Sequence, residues 1–491
     1  MIKVTVFQKI AVAFILLSGL LSVYSCDEAG AIKDTVDDVI EDVNGLATTD
    51  ADSARFFLTA WLADCVNDTS LTDNSPKTIE YLEAIAAHRI RSAYKNDTIT
   101  NPLGVQELVW GPVVELEESK GLYTASNTLF CTKYTDGNGD LHFSVGIAGT
   151  DMISYYDWFT EDFQTDSLVA GFAAGEEIAY GTAIGAKKLY QMTDTSAVGN
   201  VELLVYLKSQ VDNNPGKKVT IGVAGHSLGG ALTQVYSYYL REKLTDSNVN
   251  VQAWVYAGPT AGNDVFANNL VRKVAYTAYN NSMDAIPHVW QADRLNELCN
   301  LYTDGYSPCP ESPITNTPII NGIVKYLKDV SAAGNYTVPP GNSHTFTGRN
   351  YRLTGKEKIP GTKHDSIANC ISLQAFIDAL EVHSEFNTIG KYMREIYSSC
   401  TTGSSKTINI NDYTSTIYFL LEMGYQHTSA YVDHFFKTDA VKKAVNRYVT
   451  NPSNDFTAVL KGAQGGYILS EFLELAAKHK PTNCDCTAPA G

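Results

Sequence analysis

Across residues 219–240 the hydrophobic pattern changes period abruptly. An apolar, β-branched run (Val219, Ile221, Val223) leads into Gly225-His226-Ser227-Leu228-Gly229-Gly230, and Ala231, Leu232, Val235, Tyr239 and Leu240 then recur at helical spacing. The change predicts a strand, a sharp turn and a helix. Upstream, helical periodicity predicts helices around residues 55–66 and 77–94, the second with Ile79, Leu82, Ile85 and Ala86 on one face. From Leu122 the period shortens. Residues 128–134 and 141–147 read as strands joined by Asp136-Gly137-Asn138-Gly139, a strong turn signal. Helices are expected over residues 175–192 and 201–211. After the central helix come a strand at 251–257, a short helix at 264–270 and a strand at 271–279. Strands alternating with helices imply a mainly parallel sheet covered on both faces. Ser227 then falls at the carboxyl end of a central strand, where open α/β sheets place their sites.

Residues 300–420 break this rhythm. Pro308, Pro310, Pro313, Pro318, Pro339 and Pro340 fragment the first part, and helical patterns at 372–380 and 389–396 occupy the second. A mostly helical or irregular covering subdomain, inserted late in the fold, is expected here; a separate domain is the alternative. Residues 51–299 then form the first part of the core and residues 421–491 its C-terminal part, with a last helix at 467–479 packing back on it.

The N-terminus alters this picture. Lys3 and Lys9 precede an uncharged apolar run from Ile10 to Tyr24, too short and wrongly flanked for a membrane span, so residues 1–26 are expected to be an export signal. The run ends Val23-Tyr24-Ser25-Cys26, similar to a bacterial lipobox in which Cys26 would carry lipid and anchor the chain to a membrane, although Tyr24 departs from the small residue usual there. Ordinary cleavage and secretion is the alternative. Residues 27–50, acidic and rich in small residues, read as a tether. The chain has nine cysteines; without Cys26 an even number remains, which suits disulfides in an exported protein, with Cys299 and Cys309 the most natural local pair and Cys370 with Cys400 another. A formal net charge of −17 argues against nucleic acid as a partner. The histidines are scattered and Cys484-x-Cys486 lacks zinc spacing, so neither metal nor cofactor is expected.

The turn at Ser227 carries candidate chemistry. Side chains at Gly225 and Gly229 would collide with the neighbouring strand and helix, and the strained turn lifts the serine hydroxyl above a helix N-terminus that favours developing negative charge. A serine needs a base, and the base a third group to orient it. Asp284, in Asn281-Ser282-Met283-Asp284-Ala285-Ile286-Pro287 beyond the strand at 271–279, supplies the acid in the chain order of an α/β-hydrolase fold. Asp264 is its rival, although a helix cap is its more natural role.

Taken in order, Ile147-Ala148-Gly149-Thr150, Asp157-Trp158 with Asp162-Phe163, Gly225-His226-Ser227-Leu228-Gly229-Gly230, Ala257-Gly258-Pro259 with Gly262-Asn263, and Asn281-x-x-Asp284-x-Ile286-Pro287 resemble the class 3 (fungal-type) lipase family over roughly residues 140–295. The resemblance implies Ser227 as nucleophile, Asp284 as acid, and Thr150 with the N–H of Leu228 as the oxyanion hole. Ala148 departs from the family's usual arginine. The family's histidine lies toward the C-terminus with a tyrosine a few positions on, which His427 and Tyr431 satisfy; His344 is the runner-up, and His288 lies too close to Asp284 to reach over the serine. The aromatic stretch at 155–163 is either an amphipathic lid or a core helix. The expected function is an exported serine hydrolase cleaving carboxylic esters of lipids. A phospholipase A1 or an esterase of acylated carbohydrates is the alternative enzyme, and an inactive surface-anchored binding lipoprotein the alternative of another class. Oligomeric state, acyl length and leaving group are not legible.

Overall fold

The computed structural model describes residues 51–67, 70–71, 73–119, 122–149, 164–195, 200–302, 318–348, 419 and 422–449. The signal-like run with Cys26, the tether, Thr150, the aromatic stretch at 155–163 and the helical patterns at 372–380, 389–396 and 467–479 lie outside the described residues.

Among the described residues the strands build one eight-stranded sheet. Its parallel half consists of β4 (Leu141–Ile147), β9 (Val219–His226), β10 (Val249–Tyr256), β11 (Ala275–Asn281) and β12 (Asn342–Phe346), adjacent in that order. An antiparallel extension, in which β3 (Leu122–Thr135) pairs with β4, β2 (Glu107–Ser119) and the short β1 (Ser70–Leu71), completes it. Two small ribbons lie off the sheet: β5 (Leu168–Ala170) with β6 (Glu177–Ala179), and β7 (Thr193–Asp194) with β8 (Val201–Glu202). The register aligns Ile147 with Gly225, His226 with Tyr256, Tyr256 with Tyr279 and Asn281 with Phe346, so the parallel strands end along one edge. This is the mainly parallel, helix-covered sheet expected of an α/β-hydrolase fold.

Each face of the sheet carries its own apolar core. The inward residues Val219, Ile221 and Val223 of β9 meet Ala231, Leu232 and Val235, together with Leu189, Leu207 and Leu270 from other helices on that face. The opposite face is covered by α1 (Ala51–Ala63), whose Phe57, Leu58, Ala60, Trp61 and Leu62 are all essentially inaccessible. Its charged side chains Asp52 and Arg55 pair with one another at 2.9 Å in the first turn, and the helix is buried from Phe56 to Ala63. Its close seat requires a glycine on the strand beneath, since a Cβ at Gly222 would stand 2.2 Å from the Phe56 ring. Phe57 stacks on Phe435 at 4.6 Å and meets Tyr256 edge-on at 5.2 Å, joining the helix to both the sheet and the C-terminal segment.

Several expected boundaries move. The helix expected over 175–192 begins only at Tyr180, as α4 (Tyr180–Gln191) after α2 (Pro76–Ala93) and α3 (Asp97–Leu103), because residues 177–179 pair as β6. The helix expected from Val201 starts at Leu203 as α5 (Leu203–Asp212), Val201 being paired in β8. After α6 (Leu228–Lys243), α7 (Asp264–Lys273) consumes the start of the strand expected at 271, because Leu270 and Val271 still pack at helical spacing. Strand β2 was not anticipated; Pro112 interrupts its alternation and sits where the pairing with β3 shifts register between Trp110 and Val113. Residues 300–420 are not solely a covering subdomain: Asn342–Phe346 lies within them and is the parallel edge strand β12, a short strand just after Pro339 and Pro340.

Replacing Phe57 by Ala should lower unfolding stability by about 3–5 kcal/mol, as for other buried aromatic truncations. Urea titration checks it; a loss below about 1 kcal/mol would show that α1 is not part of the cooperative core.

Candidate active site

Strand β9 ends at His226, and Ser227 turns the chain into α6 with φ 58° and ψ −128°. Few non-glycine residues accept this conformation. Glycine on both sides makes the turn possible: a Cβ at Gly225 would stand 2.1 Å from the Gly229 carbonyl oxygen, and one at Gly229 would stand 2.5 Å from the Ile147 carbonyl oxygen. The Ser227 N–H donates to the Tyr256 carbonyl at 3.0 Å, fastening the elbow to β10. The serine itself stays partly exposed while its neighbours are buried.

The structure brings together three of the residues singled out by sequence. His427 Nε2 is 2.8 Å from Ser227 Oγ, and His427 Nδ1 is 2.9 Å from Asp284 Oδ2 and 3.1 Å from Oδ1. A carboxylate only accepts, so Nδ1 carries the proton, and Nε2 is left to accept from the serine hydroxyl. Asp284 is wholly buried beyond the end of β11. Its Oδ1 also accepts from the Ile286 N–H at 3.0 Å and its Oδ2 from the Tyr431 hydroxyl at 3.0 Å. Burial, then the Asp284 carboxylate, pushes the Tyr431 phenol well above 10, so it remains a donor. Leu228 opens α6 directly after Ser227, which puts its N–H among the amides that emerge unbonded from a helix N-terminus.

His427 is carried by a helix rather than a loop. It ends the helical stretch 422–427; Thr428, with φ −125° and ψ −74°, breaks the helix before α10, which follows α8 (Ala292–Leu295) and α9 (Pro318–Ser331) in the chain and spans Ser429–Phe435. The Thr428 hydroxyl bonds back to the Gly424 carbonyl at 2.7 Å and stabilises that break. Asn281 couples the two halves of the site: its Nδ2 donates to the Gln426 carbonyl at 2.9 Å, and its backbone N–H donates to the Tyr431 hydroxyl at 2.8 Å.

The rivals are placed elsewhere. Asp264 begins α7 behind the cap Asn263, whose side chain accepts from the Phe266 N–H at 2.9 Å. His344 lies on β12 with its ring 4.6 Å from that of Tyr279. His288 is buried beside Glu297, 3.0 Å from its carboxylate.

Two supporting residues escaped the sequence reading. His226 Nε2 is 2.7 Å from the His427 carbonyl oxygen, to which it must donate, and the two rings are 4.6 Å apart. Burial first, and then the neighbouring His427, hold its pKa well below 6.5. Asp64, just past the end of α1, accepts from the Gly149 N–H at 2.7 Å, and burial pushes its carboxyl up to about 7. Cys131 is a buried thiol, whereas Cys299 is disulfide-bonded. Among the described residues, no cluster of His, Cys, Asp and Glu is arranged to hold a metal ion.

Residues 145–293 match the model of the lipase (class 3) family. Among solved structures, M37 lipase is similar at a TM-score of 0.50 and 19% identity, over 60% of this chain and 85% of that one. A triacylglycerol lipase from Penicillium expansum is 16% identical over 42% of this chain and 71% of its own, with a TM-score of 0.28. No curated protein matches the chain. The family match and the shared fold agree with the motif resemblance: the segment is of lipase type.

If His226 is a neutral buried donor, the unfolded chain binds a proton below about pH 6.5 that the folded chain refuses, so stability falls as pH drops through that value. Acidification from about pH 7.5 to about pH 5 should therefore lower Tm less in His226→Gln than in wild type. Equal losses, by differential scanning fluorimetry, would refute this role.

Proposed function

We propose, from the premise of a class 3 lipase core over residues 145–293, that the chain is a serine hydrolase cleaving carboxylic esters of lipids. The observation that carries the reading is the single imidazole of His427, in hydrogen-bond reach of Ser227 Oγ on one side and Asp284 on the other. Ser227 Oγ attacks the acyl carbon as its proton passes to His427 Nε2. Asp284, steadied by Tyr431, stabilises the imidazolium. The tetrahedral oxyanion is held by the N–H of Leu228 and by Thr150, the expected second donor. Collapse breaks the bond to the leaving oxygen, which takes the proton from His427. Water, deprotonated in turn by His427, then attacks the acyl-enzyme; the carboxylic acid leaves and Ser227 regains its proton. The signal-like N-terminus and Cys26 favour export with a lipid anchor.

Ser227→Ala and His427→Ala should each lower kcat toward p-nitrophenyl esters by about four to six orders of magnitude. A series of increasing acyl length, extended to emulsified triacylglycerol, phospholipid and acetylated sugar, checks the substrate class. Preference for long chains at an interface fits a lipase; turnover of short chains alone, or of sugar esters alone, would replace it by an esterase. A wild-type chain that turns over none of these esters would overturn the hydrolase reading in favour of a binding protein.

A further inference from the structure

The chemistry just described makes no use of the Asp64 carboxyl, yet this group lies buried against the strand end beside the nucleophile. Asp64 Oδ1 accepts the Gly149 N–H at 2.7 Å and the Asn67 side-chain amide at 3.2 Å. The same Asn67 amide lies 3.5 Å from the Gly149 carbonyl oxygen, so the Asp64–Asn67 pair grips both the N–H and the C=O of Gly149. On its other side Gly149 abuts the elbow: a Cβ there would stand 2.7 Å from the His226 carbonyl oxygen and 3.4 Å from Ser227 Cβ. Gly149 is thus clamped between a carboxyl from the end of α1 and the backbone that presents the nucleophile. Ala148, before it, has only a methyl group and offers the segment no polar anchor.

We propose that Asp64 is a positioning residue for ester hydrolysis, fixing the Gly149 peptide against the elbow so that this strand end keeps its place beside Ser227. The proposal rests on the hydrolase reading above. Its physical basis is the rigidity of the support. Asp64 follows a helix buried from Phe56 to Ala63, and Trp61, one turn earlier, packs edge-on against His226 at 5.4 Å, so one element braces both the strand end and the elbow. Burial also keeps the carboxyl only partly charged near neutral pH, which limits its repulsion of an oxyanion forming nearby.

The test compares full-length Asp64→Ala, Asp64→Asn and wild type on one soluble ester, with competent sites counted by fluorophosphonate titration so that misfolded molecules drop out. Asp64→Ala, which removes the acceptor, should lower kcat per titrated site by about 10- to 100-fold, as for small misplacements of a catalytic group. KM should stay within about twofold, because ground-state binding is untouched. Asp64→Asn keeps a carbonyl oxygen for both donors and should stay within about threefold of wild type. If Asp64→Ala does not fold, Asn67→Ala carries the test, with kcat expected to fall about three- to tenfold at unchanged KM. An unchanged kcat in Asp64→Ala, or in Asn67→Ala where that variant stands in, overturns the inference alone, as does an Asp64→Asn enzyme as impaired as Asp64→Ala. A wild-type chain inert to every ester instead overturns the hydrolase reading and takes this inference with it.

Discussion

The site depends on one imidazole bridging two strand ends. Ser227 leaves β9 and Asp284 follows β11, with β10 between them, and His427 arrives from a segment 143 residues beyond the acid. Parallel register brings the carboxyl ends of the strands level, which brings serine and acid within reach of a single ring. The rest of the local structure holds that ring in one tautomer and one orientation. Asp284 fixes the Nδ1 proton, His226 holds the backbone carbonyl, and Asn281 ties the acid loop to the residue before the histidine.

Helix α1 gives this arrangement its rigidity. Its aromatic face joins the sheet, through Tyr256, to the segment carrying Tyr431 and Phe435. The residues that position His427 and those that position Gly149 therefore lean on the same helix.

What was legible in the sequence follows from the range of the forces involved. The elbow announces itself because its pattern is local: Gly225 and Gly229 each lie two residues from Ser227, and a Cβ at Gly225 would meet the Gly229 carbonyl within the same turn. The alternation of strands and helices from residue 122 is legible for the same reason, since each element buries its own face. Asp284 and His427 were found by motif and chain order, and geometry then placed them together. Asp64 was not found, because its meaning depends on Gly149, 85 residues away, and no local pattern couples them. The strand at 342–346 was hidden because its pairing with β11 is non-local and its few residues are largely exposed, leaving little alternation to read.

Placing the reactive hydroxyl on Ser227 and its base on His427 is the claim on which the rest stands. The most direct measurement is the mass of the full-length chain, and of its peptides, after treatment with a fluorophosphonate at neutral pH. The account predicts a single phosphonyl adduct per chain, carried by the peptide containing Ser227, and no adduct over the same time in His427→Ala. An unmodified wild-type chain, an adduct on a different residue, or undiminished modification of His427→Ala would contradict it.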